Sequence, residues 1–464
     1  MQKSPKFIDS HAHLSSEKYE HDIEDVLSRS WEAGLEFIIN IGSGYGLDGN
    51  VRALDLARKD PRIFATVGIH PHDAGSVIPS HYDELRALAS DPKVVAIGET
   101  GLDYFHKHSS PEVQREVFRR SLEMARLVDK PVVIHDRDAH DDVIAVIKDV
   151  GISERGGVFH CFSGDLRFAE EVLSMGFLIS IPGIVTFDNA STLQEVASVV
   201  PLEKMLIETD CPFLAPAHHR GKRNEPAFVT LVAEKIAKLK SLSVADVARV
   251  TSLNARRLFS LPGSEVERSI AYVIRNSLYL NITNGCNLAC KFCPKFIDFE
   301  VKGHYLKLDH EPDVDEVFRS IGQPEAYNEV VFCGYGEPTR RIELVKVIAE
   351  RMKQCGVKRV RLNTDGLANL FYGRNVLPEL TGLIDSISIS LNAPNAEFYA
   401  KVCPSKYGEA AYGAVCDFIV EAKKFIPEVV ASVVTVPGQD VQACEARAKE
   451  LGVPLRVREY MNVG

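Results

Sequence analysis

No apolar run in the 464-residue sequence is long enough to cross a membrane. The opening residues, MQKSPKFIDS, hold no apolar signal region, so secretion is not expected. Basic excess is also missing: 54 Lys and Arg stand against 64 Asp and Glu, for a net charge of -10. A globally basic nucleic-acid binder is thereby excluded. A metal-dependent nuclease is not, because cations offset site carboxylates and themselves bind phosphate. There is no short-period repeat and no low-complexity segment. Cysteine is scarce at the front: of ten, only Cys161 and Cys211 precede residue 262. Without a secretory signal these thiols are expected to be reduced, in a cytoplasmic protein.

The content that is present is ordinary for a globular chain, with 45% hydrophobic and 25% charged residues. The length exceeds what one core holds, so two or three domains are expected. Pro262 and Gly263, in LPGSE, punctuate the point where cysteine usage changes. We therefore expect domains at 1–262 and 263–464.

In the first half, short β-rich runs alternate with amphipathic stretches. The runs are Phe7–Asp9, Phe37–Ile41, Ile63–Gly68, Val94–Gly98, Val132–Ile134, Gly157–Phe159, Phe177–Ile181 and Met205–Ile207. Segments such as HDIEDVLSRSWEAG and PEVQREVFRRSLEMARL read as helices between them. Strand–helix alternation predicts a parallel sheet, and eight units suit a closed (β/α)8 TIM barrel. The second half repeats the alternation at Tyr279–Ile282, Val330–Cys333, Arg359–Asn363, Ser386–Leu391, Val430–Val434 and Leu455–Arg458. Those six strands predict a partial (β/α)6 barrel in an α/β chain.

Polar residues follow the strands of the first half. His11 and His13 lie in DSHAHL, Glu99 in GETGLD, His135 in HDRD, His160 in HCFSG, and Glu208 and Asp210 in ETDCP. Each sits at or just beyond a strand's C-terminal end, the face where barrel active sites are built. Four imidazoles and two or more carboxylates converging there would be costly to bury without a cation. His with carboxylate suits zinc, manganese, iron or magnesium, although magnesium favours imidazole less.

These motifs, with GIHPHDA, IGETGLDY, VIHDRDA, IETDCPFLAP and RGKRNEP, resemble the TatD family of metal-dependent deoxyribonucleases over about residues 6–260. The resemblance implies that His11, His13 and Asp210 hold one divalent metal ion. Glu99 would bridge to a second, held by His135 and His160. Asp210 and Glu99 are then catalytic, with His70 and Arg220 as candidates for substrate phosphate. DNA or a nucleotide is the implied substrate. A small ester or amide, or a metal-holding module that presents substrate to the second half, are the alternatives.

In the second half, Cys286, Cys290 and Cys293 form a C-x3-C-x2-C group between Gly285 and Pro294. The flanking residues favour a loop over a helix. A zinc site usually shows paired C-x2-C units, and only one is present. Three thiolates suit a cubane cluster with one iron left open. The stretch LYLNITNGCNLACKFCP resembles the cluster loop of radical S-adenosylmethionine (SAM) enzymes, and the resemblance covers about residues 275–460. It implies a [4Fe-4S] cluster, SAM, and a reductant such as flavodoxin or ferredoxin. FCGYGEPT resembles the family's glycine–glutamate motif, which makes Gly334, Gly336 and Glu337 candidates for SAM contact, although Tyr335 departs from the usual double glycine. Asn363, in RLNTDG, and Ser388, in SISISLNAP, are further candidates. The remaining late cysteines, Cys403 among them, read as core or incidental.

Overall fold

The computed structural model describes residues 4–460, and the chain divides between Ser264 and Glu265 into two compact units. Among the described residues no helix is long and apolar enough to cross a membrane.

The first unit holds eight parallel strands in sequential order: β1 Phe7–Ala12, β2 Leu35–Ile41, β3 Ile63–Val67, β4 Val94–Asp103, β5 Val132–Arg137, β6 Gly157–Phe159, β7 Leu178–Ile181 and β8 Met205–Ile207. Backbone bonds from Asp210 N to His11 O (2.9 Å) and from His13 N to Cys211 O (2.7 Å) return the chain after β8 to β1. Side chains alternate along each strand, so each strand feeds two apolar clusters. Ile38, Ala65, Val132, Ile134, Phe159 and Ile207 pack with the helices. Ile8, Ile39, Ile41, Val133, Val158 and Leu206 pack with Leu258, Phe259 and Leu261. Ile39 is fully buried, and cutting such a side chain to Ala costs about 2–5 kcal/mol.

Three strands run further at their C-terminal ends than the sequence pattern indicates. β1 continues through His11 to Ala12, β4 through Glu99 to Asp103, and β5 through His135 to Arg137. The extension of β4 depends on glycine. Gly98 and Gly101 hold φ of +142° and +145°, and the register of β4 on β5 shifts between Gly98 and Thr100. A Cβ on Gly101 would stand 2.0 Å from the His135 carbonyl oxygen. Only glycine lets β4 approach β5 this closely. Glu99 and Asp103 consequently both belong to β4, Glu99 at its irregularity and Asp103 at its last residue.

The second unit holds a seven-stranded sheet in the order β17-β16-β15-β14-β13-β10-β9. Its strands are β9 Ala271–Ile274, β10 Ser277–Leu280, β13 Glu329–Phe332, β14 Val360–Thr364, β15 Ser386–Ser390, β16 Glu428–Val434 and β17 Leu455–Arg458. A small separate hairpin, β11 Glu300–Val301 with β12 His304–Tyr305, packs on β9 through Val301, Tyr272 and Ile274. The six strands read from the sequence are the parallel ones. β9 is an addition, antiparallel to β10. Its turn is Arg275–Asn276 with Arg275 at φ 56°, and the absence of glycine there removed the usual hairpin signal.

Candidate two-metal centre and cysteine loop

His11 and His13 are two residues apart on extended backbone and share a face. Both are buried, as are Glu99, His160 and Asp210. Glu99 is the hub. Its Oε1 lies 2.6 Å from His135 Nδ1, 2.7 Å from His160 Nε2 and 3.4 Å from His70 Nε2. Its Oε2 lies 3.4 Å from His11 Nε2 and 3.7 Å from His13 Nε2. Asp210 Oδ1 lies 3.4 Å from His13 Nε2 and 3.6 Å from His11 Nε2. All six residues that the sequence singled out as metal ligands are thus brought together, and His70 joins them.

The donor chemistry fits cations. His11 Nε2 and His13 Nε2 face each other at 3.2 Å, where two ring nitrogens can share one proton at most. The ligand atoms of His11, His13 and Glu99 fall within 4.8 Å of one another, as do those of His11, His160 and Asp210, and those of His70, Glu99 and His135. Burial alone would push the Glu99 carboxyl up, but the imidazoles of His160, His70, His11 and His135 outweigh it and hold it well below its ordinary value. Burial likewise opposes protonation of His160, yet Glu99 and Glu208 raise it well above the usual histidine range. His70 and His11 go the other way: burial dominates, pulling His70 down to about 4 and lowering His11 as well.

A layer behind these residues fixes their rings, and sequence reasoning missed most of it. His135 Nε2 lies 3.2 Å from Asp103. His160 Nδ1 lies 3.6 Å from Glu208, whose Oε1 accepts the Cys161 N–H at 2.5 Å. Asp9 accepts the Thr209 hydroxyl (2.5 Å), the Thr209 N–H (2.9 Å) and the His11 N–H (3.3 Å), so it ties β1 to the segment that carries Asp210. The usable signal for Asp103 was its place in GETGLD, the same motif that carries Glu99. Arg220 is exposed, with its guanidinium 5.7 Å from the Phe187 ring. Arg223 instead pairs with Asp22 and stacks on Tyr19.

In the second unit, Cys286, Cys290 and Cys293 lie half-buried on the loop after β10. Backbone bonds from Ala289 N to Pro404 O (2.8 Å) and Lys291 N to Val402 O (3.0 Å) pin that loop. The Cys290 and Cys403 sulfurs are 3.5 Å apart, so Cys403, although fully in the core, also meets the cysteine group. Burial pushes the Cys286 thiol up to about 12 and raises Cys293 as well. Contact with Cys403, then burial, raises Cys290. The fit to a cluster lies in the donor set, three free thiols on one half-buried loop, which ionise when a metal centre supplies positive charge.

Around it, Gly334 and Gly336 approach their own domain closely: a Cβ would meet Asn281 Oδ1 at 2.1 Å and Thr283 O at 2.0 Å, respectively. Glu337 is buried. Its carboxylate accepts from Thr339 N (3.0 Å), Thr339 Oγ1 (2.6 Å), Thr364 Oγ1 (2.8 Å) and Asp365 N (2.6 Å). Asn363 and Ser388 are register partners on neighbouring strands. Ser388 Oγ is buried without a hydrogen-bond partner.

Comparison with known proteins divides the chain at the same place. The model of TatD related DNase matches residues 8–260, and that of the radical SAM superfamily matches residues 280–451. The uncharacterized metal-dependent hydrolase YabD of Bacillus subtilis is 42% identical over 254 residues, 55% of this chain and 99% of YabD. The 3'-5' ssDNA/RNA exonuclease TatD of Salmonella typhimurium is 34% identical over 259 residues, 55% of this chain and 99% of that enzyme. Among solved structures, the TatD homologue YjjV of Escherichia coli aligns with a TM-score of 0.53 and 31% identity, covering 55% of this chain and 98% of YjjV.

Proposed function

The chain belongs to the TatD related DNase family and carries a radical SAM domain behind that hydrolase domain; on that premise we propose that the first domain cleaves phosphodiester bonds in DNA with two divalent metal ions. The observation that carries the reading is the gathering of five imidazoles and Asp210 around the buried Glu99 carboxylate.

We assign His11, His13 and Asp210 to one ion, His135 and His160 to the other, and Glu99 to the position between them. Magnesium, manganese and zinc are the candidate ions, and when bound such a pair supplies activation of water and charge stabilisation at the attacking and leaving oxygens. Asp210 Oδ1 is the acceptor for the proton of the attacking water. Asp103 and Glu208 fix the orientation of His135 and His160. His70 and Arg220 are assigned to contact with the phosphate.

In the second domain we assign Cys286, Cys290 and Cys293 to a [4Fe-4S] cluster. SAM is placed against Gly334, Gly336, Glu337, Asn363 and Ser388. The cluster and SAM together supply radical chemistry driven by one electron from a reductant such as flavodoxin or ferredoxin. The unpartnered Ser388 hydroxyl supports that placement.

The test is digestion of single-stranded and duplex DNA by full-length protein loaded with each metal ion. Wild type is expected to shorten DNA. Glu99→Gln and Asp210→Asn are each expected to lose about 100-fold or more of the rate. Equal rates in wild type and both variants would refute the assignment.

A further inference from the structure

Beside the two-metal centre, a second set of imidazoles gathers on one carboxylate. Asp103 ends β4 and is fully buried. Its Oδ1 accepts the backbone N–H groups of Phe105 (3.0 Å) and His106 (2.8 Å), which hold the carboxylate in place. Its Oδ2 lies 2.7 Å from His72 Nε2, 2.9 Å from His106 Nδ1 and 3.2 Å from His135 Nε2. Three ring nitrogens therefore crowd one oxygen that has two lone pairs.

A third imidazole joins His72 and His106 from outside. Lys107, at φ 52°, reverses the loop after β4. His106 and His108 then stack nearly parallel, with interplanar angle 11° and centroids 6.0 Å apart. The His108 ring centroid is 4.5 Å from that of His72. Hydrogen bonding to Asp103 accounts for His72 and His106 but gives His108 no reason to be there.

The ligand atoms of His72, Asp103 and His106 fall within 4.8 Å of one another. His108 lies outside that close group, its ring beside His72; turned inward it would complete three imidazoles and one carboxylate, the donor set of a four-coordinate borderline cation. We propose that His72, Asp103, His106 and His108 form a third cation site, for an imidazole-preferring divalent ion such as zinc, separate from the two-metal centre. His106 and His108 are exposed, so this outer ion is reachable from solvent. Asp103 also touches His135, which places the outer site one residue away from the inner pair. The count of three rests on the two-metal reading; the outer site does not.

Full-length protein with its cluster assembled would be equilibrated with zinc, and zinc and iron counted separately by mass spectrometry. The iron-loaded cysteines are then closed to zinc. Wild type is expected to hold three zinc ions per chain and His106→Gln/His108→Gln two, with the same melting temperature as wild type before zinc is added. His72→Gln is a second route to the same loss. A wild-type count of two that stays two in these variants overturns the outer site and leaves the inner pair standing. A wild-type count of one that falls to zero retains the outer site and removes the two-metal reading. Cobalt(II) in place of zinc gives an independent readout: the variants are expected to lose the ligand-field bands of one ion, and unchanged bands would overturn the proposal.

Discussion

Asp103 and His135 are joined across neighbouring strands, Oδ2 to Nε2 at 3.2 Å, while the opposite ring nitrogen of His135 lies 2.6 Å from Glu99. A buried carboxylate thus sets the direction in which this imidazole presents itself to the centre. Partners of this type typically tune metal affinity by 10–100-fold. Asp103→Asn is expected to weaken metal binding at the inner centre by about that factor, measured by competition with a chelating dye. Unchanged affinity would show that His135 is oriented by packing alone.

Gly101 enforces the same junction sterically. A side chain at this position would meet the His135 carbonyl at 2.0 Å, on backbone at φ +145°. Gly101→Ala is expected to lower stability by at least about 2 kcal/mol. The loss should fall in the first domain's unfolding transition, as read by calorimetry.

The cysteine loop makes a separate prediction. Cys286→Ala, Cys290→Ala and Cys293→Ala are each expected to abolish stable cluster assembly, read as iron and sulfide content and the visible absorption band. Cys403→Ala is expected to retain the cluster, because it lies outside the C-x3-C-x2-C group and is buried in the core. Loss of iron in Cys403→Ala would make that cysteine a fourth participant.

Acid sensitivity has an identifiable source at the pairing of Asp22 with Arg223. The guanidinium holds the Asp22 carboxyl below its ordinary value. A depressed folded-state value contributes stability above the unfolded value, and that contribution is lost as pH falls through the folded one. Asp22→Asn is therefore expected to destabilise at pH 7, by less than about 1 kcal/mol because the pair is partly solvated. The difference from wild type should shrink progressively as pH drops below about 3.8. A difference independent of pH would assign the effect to packing.

Much of this was legible from the chain because its signals are local. Each barrel strand carries a short apolar run legible in the sequence, and His11, His13, Glu99, His135, His160 and Asp210 each come just after one. What escaped depends on contacts between distant segments. β4 outruns its apolar pattern because Gly98 and Gly101 let it press against β5, a fact that no run of β4 residues announces. Asp9 and Asp103 read as ordinary strand polars until their partners Thr209 and His135 are placed. Cys403 reads as core, and is core; its 3.5 Å approach to Cys290 spans 113 positions of sequence. The strand β9 was hidden by a turn that uses Arg275 and Asn276 in place of glycine.

The most direct test of the hydrolase is a time course of single-stranded DNA digestion by metal-loaded, cluster-loaded full-length protein beside Asp210→Asn. The account predicts progressive shortening by wild type, arrest by a chelator, and a rate lower by about 100-fold or more in the variant. Digestion by Asp210→Asn at the wild-type rate, or none by wild type with magnesium, manganese or zinc, would contradict it.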